Sequence, residues 1–140
     1  MSLVYPSEGR NHMLGVTVHG DAAFPTWYIT LFEGNYTPQD DDTALNFAGR
    51  ATECTAYAES TRVALQESVP VGGATDNSAG VGQFTMTATK MIYGFAILSA
   101  SAKGATTGKL LCIQRLSSPK TYDAGDVVKV PVNLTLQNAA

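Results

Sequence analysis

The sequence "MIYGFAILSASAKGATTGKLLCIQRL" (91–116) decides the predicted fold. Its two ends are rich in β-branched, aromatic and aliphatic residues and show no helical period, whereas small and polar residues fill its middle. Two apolar runs separated by a cluster of Gly, Ser, Thr and Lys are typical of antiparallel strands joined by a loop. We therefore predict a β-hairpin whose strands cover 91–100 and 109–116.

The middle of this stretch, GATTGK, resembles a nucleotide-binding P-loop but does not match one. A P-loop needs four residues between its glycines, a Ser or Thr after its Lys, and a following helix. Here only three residues separate Gly104 from Gly108, and Leu110 follows Lys109. A helix opening at this Lys would soon meet Pro119, with no N-cap residue and no amphipathic pattern. We therefore interpret GATTGK as the connection of the hairpin.

Strand patterns also occur on both sides of the hairpin. Segment 26–34 carries apolar residues on both faces, which is typical of a central or covered strand. Segment 81–90 alternates cleanly between an apolar face and a threonine-rich face. Segments 61–69 and 126–137 alternate as well, and Pro131 places the latter at a sheet edge or a bulge.

Strand candidates at short spacing, with turn residues between them, predict an all-β fold. We expect an antiparallel two-sheet sandwich or jelly roll, with a closed barrel as the alternative. At most one short helix is expected, beginning near Ser7, whose hydroxyl can cap it, although Gly9 and Gly15 disfavour a helix there. Segment 35–60 shows no sustained period and is interpreted as a functional loop or as short strands.

Length and charge restrict the class of protein. With 140 residues, the chain is expected to form a single β-sandwich domain, in which residues 1–25 are an N-terminal arm or short helix and a possible docking segment. Charged residues make up 15% of the chain, below the typical share of about 25%, which indicates that some surface serves a partner. A net charge of −3 disfavours nucleic-acid binding. No membrane span or leader is expected, so we predict synthesis in the cytoplasm.

Few residues suggest catalysis or metal binding. Cys54 and Cys112 are expected to be buried free thiols, because cytoplasmic chains rarely form structural disulfides. His12 and His19 lie in the irregular N-terminal segment, outside any known catalytic or metal-binding motif. The aspartate run 40–42 is interpreted as a solvated loop rather than a cation site. We therefore expect no enzyme activity, no metal and no cofactor.

Four strings resemble a group of small proteins of tailed bacteriophages, and they occur here in the same order. The resemblance runs from about Trp27 to Leu136 and covers the N-terminal segment poorly. Members of this group resemble capsid cement, or decoration, proteins, which are jelly-roll-like modules outside the head shell. The strings are "TWYITLFEGNYTP" (26–38), "ATECTAY" (51–57), "DNSAGVGQFTMTATKMIYGFAILSASAKGATTGKLL" (76–111) and "RLSSPKTYDAGDVVKVPVNLTL" (115–136).

The resemblance implies a structural virion protein on the outer surface of the capsid, synthesised in the host bacterial cytoplasm. Such a protein binds the major capsid protein and cements its neighbouring subunits, and the resemblance carries no catalytic residue. We also expect self-association about two-fold axes, because symmetry multiplies weak contacts. The predicted interface residues are Leu3, Val4 and Tyr5 of the N-terminal arm, together with Tyr36 and Tyr122 in turn regions.

Two alternative functions stay open at this point. The first is a tail- or fibre-associated module that binds a host-surface glycan, which Tyr36 and Tyr122 favour because both lie in turn regions. Aromatic side chains can stack on sugars, although those on the 26–34 strand, such as Trp27, are more often part of a core. The second is a small hydrolase, which needs a cleft that brings His12 or His19 next to an acid.

Overall fold

A computed structural model describes residues 3–137 of the protein and shows an all-β antiparallel sandwich with two short helices. The predicted fold class is confirmed. No helix between residues 3 and 137 is long and apolar enough to cross a membrane. The strands are β1 (Leu3–Val4), β2 (Tyr28–Phe32), β3 (Glu53–Cys54), β4 (Val63–Ala64), β5 (Ala74–Asp76), β6 (Gly82–Thr85), β7 (Lys90–Leu98), β8 (Leu110–Tyr122), β9 (Val127–Val130) and β10 (Asn133–Thr135), and the helices are α1 (Ser7–Leu14), which continues as a π-helical turn (Gly15–His19), and α2 (Ala44–Ala51).

The main sheet has the strand order β1-β8-β7-β2-β3, and β4 also pairs with β2. The predicted hairpin lies at its centre, since β7 and β8 run antiparallel from the Lys90–Tyr122 pair to the Leu98–Leu110 pair. The GATTGK stretch is the loop between these strands, as predicted. Strand β2 pairs with β7 on one side and with β3 and β4 on the other, which confirms its predicted central position.

Both faces of the main sheet are covered. On one face, Ile29 and Phe95 belong to a core cluster that includes Phe84 of the β6-β9 pair. On the other face, Phe32 packs edge-on against Phe47 of α2, with 6.2 Å between the ring centroids. Burying such side chains contributes roughly 1.5–3 kcal/mol each. Burial on both faces explains why β2 and β7 are apolar at consecutive positions.

Helix α2 lies inside the stretch predicted as a loop or short strands, so the prediction of at most one helix is wrong. Thr43 and Asn46 form a capping box, with Asn46 Oδ1 accepting from the Thr43 N–H at 2.8 Å and Thr43 Oγ1 accepting from the Asn46 N–H at 3.3 Å. Helix α1 begins at Ser7 as predicted, but Pro6 is its N-cap and no side chain caps it. The predicted capping role of the Ser7 hydroxyl is therefore wrong.

Two prolines account for differences between the predicted and observed strands. Strand β8 continues through Pro119, beyond the predicted strand end at residue 116, because residues 116–119 form a bulge opposite a single residue of β7. Such a bulge accommodates a residue that has no N–H to donate. At the C-terminal end, Pro131 separates β9 from β10, which pair with β6 and β5. The predicted edge or bulge at this proline is thus an interruption between two strands.

A buried ion pair fixes the loop of the central hairpin. Arg62 is 1% exposed, and it donates to both carboxylate oxygens of Glu53 at 2.8 and 2.6 Å. The same guanidinium donates to the carbonyl oxygens of Ala100 and Ala105, each at 3.1 Å. Thr30 on β2 donates its hydroxyl to the Glu53 carboxylate at 2.7 Å. One arginine therefore connects the main sheet to the loop that contains GATTGK.

Cys54 and Cys112 are free and buried, as predicted. Burial raises the pKa of the Cys54 thiol to about 11, and it also raises the pKa of Cys112. Because the thiolate is the reactive form, we expect neither thiol to react with Ellman's reagent in the folded protein at mildly alkaline pH. Both should react after unfolding in guanidinium. Rapid reaction of either thiol in the native protein would contradict this prediction.

Candidate binding cleft

A cleft of about 480 Å³, lined by polar and charged side chains, lies between α1 and the loop that precedes α2. Its volume falls within the range of small-molecule sites, about 300–1,000 Å³. The lining residues come from four separate segments of the chain. They are Ser7, Glu8, Asn11 and His12 from α1, Asp21, the run from Asp40 to Thr43, and Lys109 at the end of the hairpin loop.

Helix α1 forms one wall because Gly9 lets it lie directly on β8. A Cβ atom at this position would overlap the carbonyl oxygen of Leu111, with the carbonyl carbon at 2.8 Å. Glu8 then connects three elements, since its Oε2 accepts from the backbone N–H of Ala44 at 2.7 Å and of Leu110 at 2.8 Å. These residues are the first of α2 and β8. The wall of the cleft is therefore fixed to the sheet and to the second helix.

Asp42 anchors the opposite wall from inside the fold. Its side chain is fully buried and accepts hydrogen bonds from the Tyr36 hydroxyl, from the Gln39 N–H at 2.8 Å and from Arg50 at 3.0 Å. Burial and the hydrogen bond to Asp42 raise the pKa of Tyr36 to about 12. The interpretation of residues 40–42 as a solvated loop is wrong for Asp42, because these donors replace water around its carboxylate.

The other two aspartates of the run are exposed, and each forms an ion pair. Asp41 pairs with Arg50 at 2.9 Å, and hydrogen bonds from this guanidinium lower the pKa of the Asp41 carboxyl. Asp40 pairs with Arg10 of α1 at 2.6 Å, and its carbonyl oxygen accepts from the Ser7 N–H at 2.8 Å. The solvated interpretation holds for these two residues. The contacts of Asp40 join the loop to α1, and the contact of Asp41 joins it to α2.

Three aromatic rings pack together beside the polar cleft. The His12 ring lies 5.1 Å from Phe24 and 5.4 Å from Trp27, and the latter two rings lie 5.5 Å apart, edge-on. They line a second cavity of about 280 Å³ whose other walls are mainly apolar. Phe24 is 37% exposed, so a ligand can reach its ring. Because His12 lines both cavities, the aromatic cavity and the polar cleft meet at this side chain.

This arrangement offers hydrogen-bonding groups next to an exposed aromatic ring. Carboxylate, amide, hydroxyl and ammonium groups lie on the polar side. Between residues 3 and 137, no three His, Cys, Asp or Glu side chains are grouped so that they could hold a metal ion. The site is therefore suited to an organic ligand that has both polar groups and an apolar face.

The five predicted interface residues are half-buried, and they do not line the polar cleft. Leu3 and Val4 form β1, which pairs with β8 at the edge of the main sheet. Leu3, Tyr5 and Tyr122 pack on the core cluster of one sheet face, whereas Val4 and Tyr36 pack on that of the other face. The structure thus divides these residues between two faces. Their role in an interface stays a prediction.

Some members of the site can be recognised in the sequence and others cannot. His12 stands out as one of two histidines and Trp27 as the single tryptophan. Phe24 and Asp21 lie between the π-helical turn and β2, in a stretch without periodicity. The only signal there is an aromatic residue before Pro25, which does not indicate that it contacts α1.

A family model described as podophage GP4 fiber I protein gp80 matches residues 8–137. The chain belongs to this family. It is therefore a structural protein of a bacteriophage and a component of the virion, as the resemblance implied. The match includes all residues that line the polar cleft except Ser7. No curated protein matches the chain.

Membership in a fibre family corrects one part of the expected function. The match does not support the predicted role as capsid cement on the outer surface of the head, since the family is named for a fibre protein. It is nearer to the predicted alternative, a tail- or fibre-associated module. The strings that carried the resemblance fall within the matched residues, so they indicated the phage origin correctly, whereas the match does not support the predicted place on the capsid.

Proposed function

We propose that the protein is a fibre-associated module that binds a saccharide of the host surface in the polar cleft. The observation that carries this proposal is the meeting of the polar cleft with the exposed Phe24 ring at His12. Saccharides carry hydroxyl groups around a ring whose CH groups form an apolar face. Polar side chains next to an aromatic ring match both properties. The fibre family of the chain supports the same role.

Different residues of the site contact the apolar face and the hydroxyl groups of the saccharide. Phe24 stacks on the apolar face of the sugar. Asn11, Asp21 and Lys109 line the cleft and are exposed, so they reach the hydroxyl groups without breaking contacts that hold the fold. Glu8, by contrast, already accepts two backbone hydrogen bonds and serves to position α1. The earlier expectations of a major capsid protein partner and two-fold self-association have no part in this proposal.

A second candidate, a small hydrolase, is favoured by the position of His12 in a cleft that also contains acids. Glycoside hydrolysis commonly uses two carboxyl groups, one of which has a raised pKa and acts as the general acid. Arg50 instead lowers the pKa of Asp41, and Asp42 is buried under hydrogen bonds from within the fold. We therefore propose binding without catalysis.

Replacing Phe24 with alanine tests the proposal. We expect Phe24→Ala to weaken binding to lipopolysaccharide and capsular polysaccharide purified from the host by about twofold to tenfold, because an aromatic stacking contact contributes roughly 0.5–1.5 kcal/mol. Binding is measured by surface plasmon resonance, with Val127→Ala as the control. Val127 is also an exposed apolar residue, 46% accessible, and lies in β9 away from both cavities.

Two results would contradict the proposal. The first is no binding of either polysaccharide by the unchanged protein, or binding that Phe24→Ala leaves intact. The second is release of new reducing ends from the polysaccharide during the same incubation. If His12→Ala abolishes that release, the result supports a hydrolase and contradicts a module that only binds.

A further inference from the structure

We infer that the saccharide bound by this cleft carries a free amino group, an inference that rests on the proposed function. The polar cleft is lined by carboxylates and the aromatic cavity by ring faces, and both kinds of group attract cations. The two parts meet at His12. A protonated amine is the one common sugar substituent that both parts attract. The negative charge of the cleft repels a carboxylated sugar. The same charge does not attract a hydroxyl or acetamide group, because these groups are neutral.

Charge in the polar cleft favours a cation. Three cations offset part of its negative charge, namely Lys109 in the lining and Arg10 and Arg50, which pair with lining aspartates. With histidine counted as neutral, two negative charges remain uncompensated. Asp21 is exposed and lies at the cleft, so its carboxylate can meet a ligand ammonium directly. The lining carboxylates are those of Glu8, Asp21, Asp40, Asp41 and Asp42.

The aromatic rings favour a cation independently of the carboxylates. The face of an aromatic ring carries partial negative charge and attracts an ammonium group within about 6 Å. Phe24 presents a partly exposed ring, and Trp27 and His12 contact it at centroid distances of 5.5 and 5.1 Å. An amino sugar stacked on this ring therefore places its ammonium near the ring face and near the acids of the adjoining cleft.

Three β-1,4-linked tetrasaccharides that differ only at carbon 2 test this inference. Cellotetraose carries hydroxyl groups there, chitotetraose carries acetamide groups, and the chitosan tetramer carries amino groups that are partly protonated at pH 7, the pH at which histidine is counted as neutral. By isothermal titration calorimetry at low salt, we expect the chitosan tetramer to bind about tenfold more tightly than cellotetraose, which is the combined size of an exposed cation–π contact and an exposed ion pair. Added salt should reduce this preference.

Two variants separate a specific contact from general attraction to an acidic protein. Asp21→Asn is expected to reduce the preference to about threefold, because it removes one carboxylate without changing the shape of the side chain. Glu67→Gln should leave the preference unchanged, since Glu67 is exposed and does not line the cleft. Thermal melting of both variants confirms that the fold is intact.

Each outcome separates the inference from the proposed function. Equal binding of the three tetrasaccharides, or no binding of any, overturns the amino-sugar inference, and the proposed function stands if host polysaccharide still binds. A preference that Asp21→Asn and Glu67→Gln reduce equally also overturns the inference, because the attraction is then nonspecific. If the chitosan tetramer shows the expected preference and host polysaccharide does not bind, the inferred chemistry of the cleft stands and the host-surface role falls.

Discussion

Arg62→Met is expected to lower the free energy of unfolding by about 3–5 kcal/mol, the largest effect of any single substitution considered for this protein. The substitution leaves the Glu53 carboxylate, which is 2% exposed, inside the fold without its counter-ion. It also removes the donors to the carbonyl oxygens of Ala100 and Ala105. Because a buried charge without a partner loses its solvation, most of the cost arises from the glutamate that remains. Urea denaturation followed by circular dichroism measures the change.

A second ion pair in the same chain provides the control. Arg10 pairs with Asp40 at 2.6 Å, but both side chains are more than half exposed, so Arg10→Met should cost less than about 1 kcal/mol. The double variant Arg62→Met/Glu53→Leu should recover part of the stability lost in Arg62→Met, because it removes the isolated charge. A loss below about 1 kcal/mol for Arg62→Met would show that water reaches Glu53 and that the pair is not dry.

Gly9→Ala in α1 is expected to have the second largest effect on the free energy of unfolding. Gly49→Ala in α2 should change it in the opposite direction. In α1, the new Cβ would overlap the carbonyl oxygen of Leu111, which belongs to the backbone of β8 and cannot move aside. We expect a loss of about 1–3 kcal/mol, since overpacking exceeds the gain in helix propensity. Gly49 lies in α2, and a Cβ there has no neighbour within 4 Å. Gly49→Ala should therefore stabilise the protein by about 0.5–1 kcal/mol.

The same pair of variants connects stability with the binding cleft. Gly9→Ala displaces α1, which carries Glu8 and His12, and should weaken binding of host polysaccharide more than its loss of stability alone would. Gly49→Ala should leave binding unchanged, because Gly49 does not line the cleft. Differential scanning fluorimetry gives the stability and surface plasmon resonance the affinity. Full binding by Gly9→Ala would show that α1 is not a wall of the site.

The strands of the sheet could be predicted from the sequence wherever the apolar pattern of a strand matches the burial of its faces. Strands β2 and β7 carry apolar residues at consecutive positions, and both of their faces are buried. Helix α2 also has a sequence signal, namely Thr43 three residues before Asn46 in a capping box. The helix is only eight residues long and follows three aspartates, so its period is too short to stand out. Charge misled the prediction for Asp42, because its partners Tyr36, Gln39 and Arg50 lie within eight residues of it but form no motif that indicates burial.

The binding cleft could not be predicted, because the residues that line it are far apart in the sequence. Its walls come from four segments, and their contacts depend on how α1 is placed on β8. That placement requires the absence of a side chain at Gly9, which has no distinctive pattern in the sequence. The chemistry of His12 and Trp27 is visible in the sequence, whereas their proximity to Phe24 is a result of tertiary packing.

The double hydrogen bond of Glu8 has a consequence for the order in which the molecule is made. Its partners, Ala44 and Leu110, lie 36 and 102 residues further along the chain. During synthesis, α1 therefore cannot form its contact with β8 until β8 has been made. Contacts between residues so distant in sequence form late and slowly. A nascent chain that has completed α2 but not β8 has no functional cleft. If the proposed function holds, saccharide binding therefore becomes possible only after β8 has been synthesised.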